Sequence, residues 1–368
     1  MRIVIADPPS YTRPYDHGLA SALARRGHDV HLVASPFRYG TAPEPDAYRL
    51  HEPFLSLSNR LLQSRPRSRL RYVLNAVEYI PATGRLVRLI EKLEPDVVHL
   101  QWLVRPRFDV RWVRRLAKPR PLVFTAHDLA APRTAPRPVW RDILACAARV
   151  VVHSHRGVAQ IEALGVERER IVRIAHPAFE APSQNDGAPA HGRTLLFFGL
   201  LRAYKGLDVL VRALPSIPGA RLVVAGDPVD PVEPARALAG ELGVADRIDW
   251  RLGFLPEAEV DMLMRDAALV VLPYRRLDSS GVLATALGRG RPAVVSDVGS
   301  LGELVSEFGA GRVVEAGDAA ALAAACTALL DDDEALRRAS EGARAAARAL
   351  TWDAAAAEHE RMYEELVP

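Results

Sequence analysis

TLLFFGLLRAYKGLDVLVRAL, residues 194–214, with ARLVVAGD close behind at 220–227, is the stretch from which the fold is read. A short apolar run stops at Gly199, a loop carries LLRAY, and from about Gly206 the apolar residues fall at helical spacing. A second run rich in β-branched residues follows at once. Strand, helix, strand is the repeating unit of a parallel sheet, because parallel neighbours need a crossover that brings the chain back to the starting end. The loop also holds a compositional oddity. Of 48 basic residues only three are lysines, Lys92, Lys118 and Lys205, and Lys205 stands three residues after Arg202, where a buried strand runs into a helix.

The alternation extends in both directions. RIVIA, DVHLVAS, PDVVHLQW, PLVFTAHD and ARVVVHS precede it, with helical patterns between several of them. RIDWRLG, ALVVLPY, RPAVVSD and GRVVEAG follow. Between the two sets, APSQNDGAPAHGR (181–193) has no periodicity and reads as a linker, centred on about 183–192. The expectation is α/β: two doubly wound Rossmann-like domains facing a cleft, residues 1–182 and 193–351, with TWDAAAAEHERMYEELVP (from 351) as a last helix. Ligands of such sheets sit outside the carboxyl ends of the strands.

Composition narrows the class. A net charge of +3 is too small a bias to argue for nucleic-acid binding, even with a pI near 9.0. Cys146 and Cys326 give neither metal-ligand spacing nor a disulfide framework, which suits a reducing compartment. The amino terminus reads as strand and turn rather than an export signal, and no run is long and apolar enough to span a bilayer, so a cytoplasmic protein is expected. No G-x-G-x-x-G follows a strand and no G-x-x-x-x-G-K-[ST] occurs, which argues against dinucleotide dehydrogenases and P-loop NTPases.

Two stretches carry candidate anion chemistry. Arg202 supplies a planar fork and Lys205 a compact charge, a pair suited to a diphosphate, though solvated surface cations have the same composition. LDSSGVLATALGRGRPAVVSD (277–297) runs from loop to helix near Gly281, so Ser279, Ser280 and Gly281 offer backbone N–H groups at the positive end of a helix dipole. Simple N-capping by Asp278 or a serine explains the same residues.

Taken in order, FFGLLRAYKGLDVLVRAL, LVVAGD, GFLPEAEVDMLMRDAALVVLPYR, SSGVLATALGRGRPAVVSDVGSLGELV and GAGRVVEAGD resemble the carboxyl-terminal half of family 4 glycosyltransferases. LARRGHDVHLVAS, PDVVHLQW, LVFTAHD, RVVVHS and IVRIAHPAF resemble their first half more loosely, so the similarity covers almost the whole chain. It implies the GT-B fold, with the last helix (352–368) crossing back to the first domain. It also implies a UDP-, GDP- or ADP-sugar donor on the second domain, a sugar or lipid-linked acceptor on the first, no metal, no separate cofactor, and retention at the anomeric carbon.

By the same resemblance Arg202 and Lys205 bind the donor diphosphate with Ser280, Gly281 and Val282, and Gly199 lies on the donor side. His127 in TAHD matches the active-site histidine; a histidine capping a strand end is the plain alternative. Gly18, next to His17, is what remains of a glycine-rich loop after the first strand. Phe254 and Leu255 match the backbone contact to the base, and Glu303 a donor-side glutamate that is equally well a first-turn helix carboxylate. One departure stands out. Where the family has Glu-x7-Glu, this chain has Thr285 at the second position, and Leu277, or Asp278 with a one-residue shift, at the first. Asp278 is thus the candidate to touch the sugar, while a neutral threonine cannot grip ribose hydroxyls as a carboxylate does.

NRLLQSRPRSRLRYVL (59–74) carries Arg60, Arg65, Arg67, Arg69 and Arg71 without an acid. It is either a solvated face or a patch for peripheral docking at an inner, anionic membrane surface, at about 1 kcal/mol per basic residue. The leading expectation is a retaining hexosyltransferase in glycan or glycolipid assembly. A nucleotide-sugar epimerase on the same architecture lacks a carboxylate pair for proton abstraction. A degenerate, non-catalytic partner protein is kept open by Thr285 and opposed by Arg202, Lys205 and His127.

Overall fold

The computed structural model describes residues 1–37, 40, 42–55, 69–127, 136–179 and 192–367, the first helix residues after 68 as backbone only. The chain forms two compact units, Met1–Ile174 with Trp352–Pro368, and Ala175–Thr351.

The first unit holds a seven-stranded sheet in the order β3-β2-β1-β4-β5-β6-β7. Its strands are β1 (Arg2–Asp7), β2 (Asp29–Ala34), β3 (Arg49–His51), β4 (Val97–Leu100), β5 (Leu122–Thr125), β6 (Arg149–Val152) and β7 (Ile171–Arg173), all pairing parallel. The period of two in RIVIAD sorts side chains to the two faces. Ile3 and Ile5 join a core with Leu19 and Leu23 of helix Arg13–Arg25, and with Ala355, Ala356 and Tyr363 of helix Trp352–Glu364. Val4 and Ala6 join the other core, with helices Arg69–Leu93, Pro106–Ala117 and Arg137–Cys146. Burial on both faces explains why these strands read as continuous apolar runs.

The last helix is pinned to this unit by specific contacts. Arg26 and His28 both engage Glu360, and His99 on β4 lies 2.6 Å from the Tyr363 hydroxyl. Trp352 packs its indole on helix Arg13–Arg25 at Gly18, where a Cβ would stand 2.7 Å from indole Cζ2.

The second unit holds six parallel strands in the order β10-β9-β8-β11-β12-β13. These are β8 (Thr194–Phe198), β9 (Arg221–Gly226), β10 (Ile248–Leu252), β11 (Leu269–Leu272), β12 (Ala293–Ser296) and β13 (Gly311–Val314). The order reverses between β8 and β11, the switch point at which such sheets bind ligands. The boundary at residue 182 read from sequence differs here. Residues 175–179 belong to the second unit, because Ala178 N donates to Leu350 O (2.8 Å) and Phe179 N to Ala284 O (3.2 Å). The expected linker lies outside the described residues except for Gly192. So do Arg60, Arg65 and Arg67, while Arg69 and Arg71 are described only as backbone of helix Arg69–Leu93. Among the described residues no helix is long and apolar enough to cross a membrane.

Candidate active site

In the second unit the candidate residues gather at the carboxyl ends of β8 and β11. Gly199 ends β8 with φ +106, a conformation that suits glycine, and a Cβ there would lie 2.9 Å from Val282 Cγ2 and 3.0 Å from Lys205 Nζ. Gly199, Lys205 and Val282 are thus in one small volume. The intervening chain makes a 3₁₀ turn, Ala203–Lys205, closed by Gly206 in the left-handed region, where any side chain would overlap the Pro273 carbonyl. Arg275 locks this loop to the one after β11: its N–H donates to Tyr204 O (2.8 Å) and its guanidinium pairs with Asp208 (2.6 Å).

Lys205 is 7 % exposed, and its ammonium lies 5.3 Å from the Tyr274 ring centroid. No carboxylate among the described residues forms an ion pair with it. Burial, and then the charge of Arg202, push it down to about 7. Arg202 itself is exposed. A carboxylate at this loop, Asp230, accepts from Ala203 N (2.8 Å) rather than pairing with Lys205, and two neighbouring cations, one of them buried, are chemically matched to an anion. Helix Gly281–Gly288 points its amino end at the same place through Val282. Ser280 caps it, its Oγ accepting from Leu283 N (3.3 Å), and the amides of Gly281 and Val282 lie in its first turn. Capping therefore does not exclude an anion here: the serine satisfies the amide of Leu283 and not those of Gly281 and Val282.

The remaining second-unit candidates are more dispersed. The hydroxyl of Thr285 donates to Gly281 O (2.8 Å), so it is turned back onto its own helix. Asp278 is buried, and its carbonyl accepts from Ser300 N (2.7 Å) at the start of helix Gly299–Phe308. Glu303 lies in that helix but not in its first turn, which corrects the reading of it as a first-turn carboxylate. Phe254 is exposed after β10, and Leu255 is partly buried against the core.

In the first unit His127, two residues past β5, is buried in a polar and aromatic cluster. Its Nε2 is 2.8 Å from Gln101 Oε1 and its Nδ1 is 3.2 Å from His153 Nε2. The Trp102 indole stacks on it (5.3 Å, 11°), and Tyr15 meets it edge-on at 4.9 Å. Trp102 is held in turn, its Nε1–H donating to Thr12 Oγ1 (2.9 Å). Thr12 N donates to Asp7 Oδ2 (3.0 Å), and burial raises the carboxyls of Asp7 and Asp16 above the usual range. Gln101, Trp102, His153 and Tyr15 are missing from the sequence reading. The parallel register could have found His153: Thr125 pairs with Val151, so position 127 faces 153.

Gly18 requires correction. It is not in a loop after β1 but in the middle of helix Arg13–Arg25, as is His17, and its missing side chain makes room for Trp352. The connection after β1 is built instead from Pro8, Pro9, Ser10, Tyr11 and Thr12, which leaves no glycine cradle there.

Residues 12–176 match the family described as Glycosyl transferase 4-like domain, and residues 192–332 that described as Glycosyl transferases group 1. The chain is 32 % identical to D-inositol 3-phosphate glycosyltransferase of Xylanimonas cellulosilytica over 71 % of its own length and 70 % of the relative's. It is 30 % identical to phosphatidyl-myo-inositol mannosyltransferase of Mycobacterium leprae, covering 78 % of each. Among solved structures, Anabaena Alr3699/HepE in complex with UDP and glucose superposes with a TM-score of 0.74 at 18 % identity, over all of both chains. The chain belongs to the family 4 glycosyltransferases, with two Rossmann-like units of the GT-B class, and is a glycosyl-transferring enzyme.

Proposed function

We propose that the enzyme moves a hexose from a nucleoside-diphosphate sugar to a hydroxyl of a sugar-like or lipid-linked acceptor, with retention and without a metal ion. The observation that carries this reading is the buried ammonium of Lys205, set against Gly199 and the amino end of helix Gly281–Gly288 with Arg202 as its charged neighbour. In this reading the two cations and the helix amides bind the diphosphate and stabilise the charge that grows on it as the glycosidic bond breaks. His127 serves the sugar, and Asp278 supplies the carboxylate that the missing glutamate would have brought. With Thr285 turned inward, the nucleoside is held by backbone near Phe254 and Leu255 and by shape rather than by a charged ribose contact.

The relatives' names support an acceptor of inositol type, a polyol phosphate or its lipid form, and the neighbour holding UDP and glucose supports a nucleotide-sugar donor. Peripheral contact with an anionic membrane belongs to the same reading. Helix Arg69–Leu93, which begins with the last two arginines of the basic run, exposes Val77 (72 %) and Ile80 (78 %) one turn apart.

The test is thermal unfolding with UDP, GDP, ADP and phosphate in the presence of EDTA, wild type beside an Arg202→Ala, Lys205→Ala variant. A diphosphate at about a hundred times its Kd adds roughly 2.7 kcal/mol of stability. One nucleoside diphosphate is expected to stabilise the wild type and not the variant. Equal stabilisation of both, or of neither, would remove the proposed clamp.

A further inference from the structure

His153 joins His127 to a backbone carbonyl, and this arrangement has a consequence for where the proton of His127 resides. His153 Nδ1 lies 2.9 Å from Ile174 O. A carbonyl only accepts, so His153 Nδ1 carries the hydrogen. Full burial lowers His153 to about 4, which leaves it neutral near pH 7 with a lone pair on Nε2. That lone pair faces His127 Nδ1 at 3.2 Å.

We propose that His153, anchored by Ile174 O, is a positioning residue that fixes the hydrogen of His127 on Nδ1, so that His127 gains or loses protons only at Nε2. The surroundings make Nε2 the working atom. Trp102 stacked on the ring and Tyr15 at its edge hold its plane, so neither nitrogen can trade places with the other. Gln101 faces Nε2 at 2.8 Å and suits both protonation states. Its carbonyl oxygen accepts from an imidazolium N–H, and its amide group, turned through 180°, donates to a neutral ring. Two further histidines lie on the same side of the sheet. His99 is held low by burial and lies between Tyr363 and Thr125, and His359 is lowered to about 4. Ile174 O, His153 and His127 thus form one chain of hydrogen bonds, with His127 Nε2 set against Gln101 at its far end.

The inference rests on the proposed function only for the use made of Nε2; the position of the proton stands on the geometry alone. It is tested by ¹⁵N-histidine NMR of the full chain, with His127→Gln used to assign the resonance, in wild type, His153→Gln and His153→Leu. Glutamine offers an acceptor oxygen at the reach of Nε2; leucine offers none. Neutral His127 is expected as the Nδ1–H tautomer in wild type and His153→Gln, and as a mixture in His153→Leu. A neutral Nε2–H tautomer in the wild type would overturn the proposal. In parallel, diphosphate release from UDP-, GDP- and ADP-hexoses is measured with a hydroxyl acceptor of inositol type. Turnover of whichever donor is used should fall about a hundredfold in His153→Leu, recover to within a few-fold in His153→Gln, and leave KM for the donor little changed. If His153→Leu scrambles the tautomer at unchanged turnover, the positioning role is refuted. If the wild type turns over no donor, the functional reading fails, and the tautomer result still decides the proton's place.

Discussion

Replacing Lys205 by methionine keeps the length of the side chain and removes its charge from a buried place. In the folded protein the ammonium is pushed from its ordinary 10.5 to about 7, first by burial and then by Arg202. Each pKa unit is about 1.4 kcal/mol, so the charged form is disfavoured by roughly 5 kcal/mol relative to the unfolded chain. The direction follows from proton counting. Below pH 7 the lysine is protonated in both states and the full cost is present. Between about 7 and 10.5 the unfolded chain holds a proton that the folded one has shed, so stability rises with pH. Above that range both states are neutral and the contribution vanishes.

Urea unfolding of wild type and Lys205→Met at pH 6, 7, 8 and 9 reads this directly. The variant should be the more stable of the two at pH 6, by several kcal/mol, with its advantage shrinking by about 1.4 kcal/mol per pH unit above 7. A difference that stays constant from pH 6 to 9 would show that Lys205 keeps an ordinary pKa, and the argument for a buried cation awaiting an anion would fall. The same linkage predicts that a diphosphate bound at pH 8.5 takes up about one proton in the wild type and none in the variant. Calorimetry in buffers of different ionisation enthalpy measures that uptake.

Two further substitutions test other parts of the structure. In an exposed helix Gly→Ala gains about 1 kcal/mol, but at Gly18 the new methyl would meet the Trp352 indole; Gly18→Ala should instead cost about 1–3 kcal/mol and lower the melting temperature, and a stabilised variant would refute the packing. Thr285→Glu restores the carboxylate that the family places there, on a half-buried helix position whose present hydroxyl serves only its own helix; preference for a nucleoside diphosphate over pyrophosphate in a competition assay should rise about tenfold or more, and no change would show that the nucleoside lies elsewhere.

The parallel alternation was legible because doubly covered strands must be apolar without interruption, and runs such as LVVL (269–272) and AVVS (293–296) admit few other readings. The loop of Arg202 and Lys205 was legible because its residues are consecutive. What sequence could not supply was the meeting of Gly199 with Val282, 83 positions apart, which depends on β8 and β11 being neighbours across the switch point. Gly18 misled for a related reason. A glycine near a strand end suggests a backbone cradle, and only the docking of Trp352, more than 300 residues away, shows that its function is close packing.

The histidine cluster shows where the limit lies. His127 stands in a motif, whereas His153, in RVVVHS, looks like the ordinary end of a buried strand. Its significance comes from register: β5 and β6 pair with an offset of 26, which sets 153 beside 127, and that offset cannot be read from either strand alone. Gln101, one residue beyond β4, falls in register with Thr125 and reaches His127 through its side chain. A candidate histidine can thus be read from a local motif, but the state of its proton is written in strand pairings. Chains that share the motif and differ in register would carry the same imidazole with its hydrogen on a different nitrogen.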